Sequence, residues 1–245
     1  MLHVNLIIAK DPAEAGRLAA DIFQEVISAK PDCVLGLATG STPLPLYREL
    51  IEREKAGLID FSQCRSANLD EYKGLNGDHP QSYRYFMNEN LFNHISIDPA
   101  NTMVPDGLCE DAEAMCADYE RKIEALGGVD IQLLGIGHDG HIGFNEPCDH
   151  FPNATHEVVL EEITRQANKR FFDSIDEVPT AAYTMGCGTV MAARKVLLIA
   201  TGKDKAEIVK QSFFGPVTPM VPASILQFHP DVTVIVDEAA ASLIK

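Results

Sequence analysis

Two hydrophobic periods alternate along the 245 residues. Short, nearly unbroken apolar runs of strand length are separated by stretches in which apolar residues recur every three or four positions, the spacing of an amphipathic helix. Val4 to Ala9 reads as a strand. A helix follows from Pro12 to Ala29, with Asp11 as its N-cap and Pro12 in the first turn, where a missing N–H costs nothing. Cys33 to Ala38 is the next strand and Pro43 to about Lys55 the next helix, and Ser66 to Leu69 ends a further strand. Tyr83 to Phe92 and Asp111 to Leu126 are helical by period, and Val129 to Ile136 is a central strand. Strands at Lys195 to Thr201 and Val232 to Val236 flank helix-like stretches at Lys205 to Phe213 and Ala223 to Phe228. Alternation of buried-type strands with helices predicts an α/β fold: a Rossmann-like, mostly parallel sheet with helices on both faces.

No Pro/Ser-rich linker, low-complexity tract or internal repeat interrupts this alternation, so residues 1–245 are expected to form a single domain. The least regular segment runs from Cys148 to Thr184, and its middle, about residues 150–180, is the candidate lid.

Charge narrows the partners. A formal net charge of -16 repels nucleic acid and anionic membranes, leaving room only for a local basic pocket that could hold a phosphate. The six cysteines show neither a CxxC pair nor zinc spacing, and so read as reduced thiols of a cytoplasmic protein. Met1 to Asn5 runs straight into a strand without the features of a secretory signal, and no apolar run reaches membrane-spanning length.

The chemistry gathers where strands end. Val129 to Ile136 stops abruptly in glycines, and the stretch Gly135-Ile136-Gly137-His138-Asp139-Gly140-His141-Ile142-Gly143-Phe144-Asn145-Glu146-Pro147 brings two imidazoles and two carboxylates just beyond it. Parallel sheets bind ligands beyond the carboxyl ends of their strands. Histidine moves protons near neutral pH, and a carboxylate beside it fixes its tautomer and raises its basicity, a part open to Asp139 or Glu146 toward His141. A metal held by His138, Asp139, His141 and Glu146 is the competing reading. The glycines make this a loop rather than an HExxH helix, and no cysteine or third clustered histidine completes a zinc set, so neither metal nor cofactor is expected.

Three further constellations stand at strand ends. In Thr39-Gly40-Ser41-Thr42-Pro43, Gly40 permits a tight turn, while Ser41, Thr42 and free amides at a helix start can hold an anion or simply cap the helix. Asn68-Leu69-Asp70-Glu71-Tyr72 puts two carboxylates after an apolar strand, as a site or as a solvated turn. Arg165, Lys203 and Lys205 supply positive charge, with Lys205 opening a helix. Together these describe a pocket with an anion-binding end and an acid/base end, suited to a small phosphorylated metabolite undergoing proton transfer.

These motifs, with His79-Pro80-Gln81-Ser82-Tyr83, Thr164-Arg165-Gln166-Ala167-Asn168 and Leu226-Gln227-Phe228-His229-Pro230, occur in an order that resembles the glucosamine-6-phosphate deaminase (isomerising) family over essentially the whole chain. Its superfamily also contains 6-phosphogluconolactonases and ribose-5-phosphate isomerases, and Asn145-Glu146-Pro147 points to the deaminases, since lactonases usually lack this Glu. The resemblance implies conversion of glucosamine 6-phosphate and water into fructose 6-phosphate and ammonia in amino-sugar catabolism. It gives ring opening to His141, tuned by Asp139 and Glu146, and proton transfer between C2 and C1 to Asp70, with a perturbed pKa. Glu71 takes a supporting part, and the phosphate is held by Gly40, Ser41, Thr42, Arg165 and Lys205.

Regulated hexameric members place basic residues soon after the Asn-Glu-Pro motif, whereas Cys148 to Val158 here contains no Lys or Arg. The chain also stops at Lys245 without their longer tail. A monomer or low oligomer lacking the allosteric effector site is therefore expected. A non-catalytic sugar-phosphate sensor is the rival of another class. Nothing resembles an added helix-turn-helix, and a sensor would have no use for the set Asp70, Asp139, His141 and Glu146.

Overall fold

The computed structural model describes residues 4–160 and 174–244. In chain order the strands and α-helices are β1 (Val4–Ala9), α1 (Pro12–Ala29), β2 (Val34–Leu37), α2 (Leu44–Lys55), β3 (Arg65–Asn68), β4 (Asp70–Tyr72), α3 (Tyr83–Asn90), β5 (Thr102–Met103), α4 (Ala112–Ala125), β6 (Ile131–Leu134), β7 (His156–Val159), β8 (Ala181–Thr184), α5 (Cys187–Met191), β9 (Lys195–Ala200), α6 (Ala206–Phe214) and β10 (Val232–Asp237). Asp11 caps α1 as expected, its side chain accepting from the Glu14 amide, and Pro12 opens the first turn.

Seven strands form one sheet in the order β1-β10-β9-β6-β2-β3-β5, and every neighbouring pair in it is parallel. The inner strands β2, β6 and β10 are buried at every position, which is why they read as continuous apolar runs. Connections from β1, β2 and β3 run toward β5, while those from β5, β6 and β9 run back toward β1. Right-handed crossovers therefore put α1 and α2, which pack on each other, on one face, and α4 and α6 on the other. The direction reverses between the adjacent strands β2 and β6, so a crevice opens at their carboxyl ends.

A second sheet was not anticipated. β4, β8 and β7 pair antiparallel in the order β4-β8-β7, with Asp70 opposite Thr184 and Glu71 opposite Tyr183. Part of the segment expected to be irregular, Cys148 to Thr184, is therefore strand. β4 is also a buried strand rather than a solvated turn. Between this sheet and the glycine-rich loop lies a small separate core of Tyr72, Phe144, Leu160 and Ala182, with Tyr83 packed against it.

Smaller corrections concern helix type and ends. The helix-like stretch Ala223 to Phe228 is a 3-10 helix, Pro222–Phe228, and α3 stops at Asn90 before a 3-10 turn at Phe92–His94. α2 begins at Leu44, with Pro43 in the capping position and no side-chain cap from Ser41 or Thr42. Among the described residues, no helix is long and apolar enough to cross a membrane.

Candidate active site

The crevice is walled by the loops that leave β2, β3, β6 and β9. After β2, the Tyr47 hydroxyl donates to the Ala38 carbonyl at 2.5 Å and pins the strand end. Gly40 follows at φ +98°, a conformation that favours glycine, and its Cβ position faces open space. Ser41 is exposed and Thr42 half-buried, and neither side chain caps α2.

After β6 the chain makes the compact turn that carries the acid/base residues. The Gly137 amide donates to the His141 carbonyl at 2.9 Å, and a Cβ at Gly137 would stand 2.2 Å from the His141 ring. The imidazole thus lies across a bare backbone, in space only glycine leaves. Its Nδ1 is 2.7 Å from Asp139 Oδ1, a close ion-pair contact. The Asp139 carboxylate also accepts from the His141 amide at 3.1 Å. Burial acts to raise the Asp139 pKa, but its attraction to the His141 ring and the nearby backbone amides outweighs that and lowers it to about 2. Asp139 is therefore a permanent anion beside a half-exposed histidine.

The turn is clamped onto the second sheet. The Phe144 amide donates to Thr184 Oγ1 at 3.0 Å, and buried Asn145 donates from Nδ2 to the carbonyls of Ile142 and Met185, both at 2.8 Å. Gly143, at φ +60°, lets the chain pass: a Cβ there would be 2.7 Å from Thr184 Oγ1 and 3.6 Å from Asp70 Oδ2. That approach brings Asp70 to the glycine turn. Glu146 is half-buried one residue past the clamp, its amide donating to the Phe144 carbonyl at 3.1 Å.

Side chains alternate along a strand, so adjacent carboxylates on β4 face opposite ways. Asp70 turns to the turn at Gly143, while Glu71 turns to the start of α3. There it accepts the amides of Tyr72 and Tyr83 on Oε1 at 2.8 and 2.9 Å, and that of Arg84 on Oε2 at 2.9 Å. Ser82 completes the cap by accepting from the Tyr85 amide at 3.0 Å. Glu71 is thus a helix-capping anion, in keeping with its expected supporting part. Tyr72 follows Asp70 on the same side of β4 and packs at a tilt against Tyr83, with ring centroids 4.8 Å apart, while Tyr83 lies parallel to Phe144. Asp70 is 7% exposed beside this aromatic group. Burial, helped by the charge of Glu71, raises its pKa to about 8.

After β9, Gly202 turns at φ +99° and donates its amide to both oxygens of the buried Asp237 carboxylate at 3.0 Å. This fixes the turn Lys203–Lys205 that opens α6. Lys205 is half-buried. Burial lowers its pKa, opposed by the charges of Asp204 and of Asp139, which puts the ammonium within electrostatic reach of the Asp139–His141 pair. His138 does not join Asp139 and His141 around a common centre: its Nε2 is 2.7 Å from Asp204 Oδ2 and its Nδ1 3.4 Å from Lys205 Nζ. Among the described residues, the only His, Cys, Asp and Glu side chains grouped closely enough to hold a metal are Cys148, Asp149 and His150, and the last two are exposed. Arg165, and the part of the expected lid at 161–173, lie outside the described residues.

The structure thus gathers Asp70, Asp139, His141 and Lys205 around one crevice, with Gly40, Ser41 and Thr42 on the neighbouring loop. Sequence reasoning missed Thr184 and Asp237, which hold the loops, and the link from His138 to Asp204; it marked Asn145 within its motif but not its clamp to Met185. The isolated motifs gave no signal of these contacts, because each joins segments distant in sequence. His229, in the last motif, is structural: its Nδ1 accepts from the Asp231 amide, so Nε2–H donates to the Ala193 carbonyl at 2.8 Å.

Comparison with known proteins identifies the family. Residues 12–235 match the family model of glucosamine-6-phosphate isomerases and 6-phosphogluconolactonase. The chain belongs to this family. Within the glucosamine-6-phosphate isomerase/6-phosphogluconolactonase family it is 53% identical over 242 residues to a glucosamine-6-phosphate deaminase of Clostridium perfringens, covering 99% of this chain and 100% of that one. It is 57% identical over 232 residues to a protein of the same name from Lachnoclostridium phytofermentans, covering 95% and 98%. Among solved structures, a monomeric glucosamine-6-phosphate deaminase superposes with a TM-score of 0.94 at 46% identity, covering 98% of this chain and 99% of that one. A 6-phosphogluconolactonase from Trypanosoma cruzi, at 24% identity and a TM-score of 0.79 over 97% and 96%, shares the fold.

Proposed function

We propose that this protein converts glucosamine 6-phosphate and water into fructose 6-phosphate and ammonia, an aldose–ketose isomerisation coupled to deamination. The observation that carries the reading is Asp70: a buried carboxyl beside Gly143 of the glycine turn that holds the Asp139–His141 pair, its pKa raised by burial to about 8. Aldose–ketose isomerisation needs one mobile base near neutral pH and a held open-chain sugar. The identity of more than half to proteins named glucosamine-6-phosphate deaminase supports the same substrate.

In this mechanism His141 takes the proton of the anomeric hydroxyl and delivers it to the ring oxygen, opening the pyranose to the aldehyde. Asp139 holds the imidazolium formed in transit, and Glu146 assists from the far end of the turn. Ionised Asp70 then removes the C2 proton while a proton of the substrate ammonium passes to the C1 oxygen, giving an enolamine across C1 and C2. The approaching ammonium of the substrate favours the carboxylate form of Asp70. The same carboxyl returns the proton to C1, leaving an iminium at C2 to which water adds and from which ammonia departs. Lys205, Gly40, Ser41 and Thr42, with Arg165, hold the phosphate, and closure of residues 150–180 over the sugar belongs to the same reading. So do action in the cytoplasm, a single domain, and a monomer or low oligomer without an allosteric effector site.

The test is ammonia release from glucosamine 6-phosphate, with 6-phosphogluconolactone as the alternative substrate. Ammonia and fructose 6-phosphate should appear in equal amounts, and Glu146→Gln should slow both sharply. Lactone hydrolysis without ammonia release, indifferent to Glu146, would overturn the reading in favour of a lactonase.

A further inference from the structure

The mechanism leaves one histidine of the glycine-rich loop without work. His138 points away from His141, across the mouth of the crevice, to the turn that opens α6. There its two ring nitrogens meet opposite charges: Nε2 is 2.7 Å from Asp204 Oδ2, and Nδ1 is 3.4 Å from Lys205 Nζ. The partners fix the protons. Asp204, its pKa lowered chiefly by this contact with His138, can only accept, so Nε2 carries a hydrogen. In the neutral ring Nδ1 is then a lone pair that accepts from the Lys205 ammonium. A second proton would have to go on Nδ1, facing an ammonium that also has only hydrogens to offer. Neutral His138 therefore engages Lys205, whereas protonated His138 releases it.

The turn bearing both partners is not free to drift. Gly202 is tied to Asp237, and a Cβ at Gly202 would stand 2.6 Å from Asp204 Oδ1, so the carboxylate lies folded over that glycine. Among the described residues, the charged groups set against His138 are Asp204 and Lys205 from this turn. Asp139, on its own loop, completes the set by acting on Lys205.

We infer that His138 is a positioning residue for the phosphate-binding lysine, linking capture of the substrate phosphate to protonation of its own imidazole. This rests on Lys205 being a phosphate contact. A phosphate dianion arriving at Lys205 competes with the Nδ1 lone pair of neutral His138. Protonation ends that competition and adds a second cation beside the anion, balanced on its far side by Asp204. The imidazole therefore strengthens phosphate binding at mildly acid pH and weakens it at alkaline pH. Asp204 is its counter-ion, and removal of Asp204 would leave Lys205 beside an unbalanced ring.

Steady-state kinetics on glucosamine 6-phosphate for the wild type, His138→Asn and Lys205→Ala separate the possibilities. The phosphate of the substrate itself titrates near the same pH, so the informative quantity is the KM of wild type divided by that of His138→Asn at each pH, in which this cancels. As the pH rises from about 5 to 8, the ratio should rise about three- to fivefold, as expected for one partly screened charge at short range. The kcat ratio should stay level across the same range, which a merely structural effect of the substitution would not produce. His138 is 70% exposed, so its replacement does not disturb the core. A flat KM ratio, in a protein whose Lys205→Ala variant has a KM raised tenfold or more, would overturn the role of His138 and leave the phosphate reading intact. An unchanged KM in Lys205→Ala would remove the phosphate reading, and the inference with it.

Discussion

Replacing Asp70 by asparagine should abolish activity and stabilise the fold, by an amount that grows with pH. Burial first, and the neighbouring Glu71 second, raise the Asp70 pKa from 3.8 to about 8. In the unfolded chain the same carboxyl titrates at about 4. Between these values the native protein holds a proton that the unfolded chain has released, so stability falls as pH rises. The contribution of protonated Asp70 is complete below the unfolded pKa, declines across the window, and is gone above the folded one. Four units at about 1.36 kcal/mol each give about 5 kcal/mol. That is comparable to the whole net stability of many domains, about 5–15 kcal/mol. Asparagine carries no proton to lose, so Asp70→Asn and wild type should be alike near pH 4 and diverge toward pH 8. For a chain of this size the divergence corresponds to roughly 10–20 °C in Tm. Urea unfolding of both proteins at each pH from about 4 to 8 reads it directly, because every other titrating group cancels in the difference. A difference that stays level over that range would mean that Asp70 ionises at its ordinary value, and the reasoning about its burial would be wrong.

Two substitutions beside the site probe its supports. Glu71→Gln removes a like charge, so the pKa of Asp70 should fall and the acid limb of kcat/KM, which reports the free enzyme, should move to lower pH. The amide nitrogen would also face one of the three N–H groups Glu71 now accepts, costing about 1–3 kcal/mol in urea unfolding; an unmoved limb would discount the coupling. Gly137→Ala should leave stability nearly unchanged but lower kcat by about a hundredfold, since the added methyl displaces the movable His141 ring rather than backbone. Near-normal kcat in a crystallographically displaced ring would remove His141 from the mechanism.

What the sequence made legible, and what it did not, follows from where each interaction closes. α1 was readable to the residue because its signals are local: Asp11 and Pro12 at one end, an apolar stripe between. The inner strands were readable because burial on both faces makes them mostly apolar, with Gln132, Thr233 and Asp237 as the polar exceptions in β6 and β10. β4 was not, because Asp70-Glu71-Tyr72 opposes strand propensity and its partner strand begins only at Ala181. What compensates two buried carboxylates is invisible locally: two amides of the α3 start for Glu71, and retention of a proton by Asp70. His138 shows the same limit within the best-recognised motif. Its position among possible metal donors was evident, but its pairing with Asp204 spans 66 residues and required the fold.

The two carboxylates of the site show why a parallel sheet needed an antiparallel appendage to do this chemistry. Loops beyond the strands β2, β6 and β9 stand at the crevice edge, where water and nearby amides keep acids ionised. Asp139, on such a loop, is held down near 2 by its histidine and by backbone N–H groups. A base for carbon acids needs the opposite environment, one that makes the anion eager for a proton. β4 supplies it by carrying Asp70 off the end of β3 into the second sheet, where the side chain is 7% exposed. Gly143, whose missing Cβ would lie 3.6 Å from Asp70 Oδ2, lets the glycine-rich turn pass beside it. Two chemically similar side chains thus acquire pKa values about six units apart, near 2 and near 8. Such a separation is the physical basis for giving one the part of permanent counter-ion and the other that of mobile base.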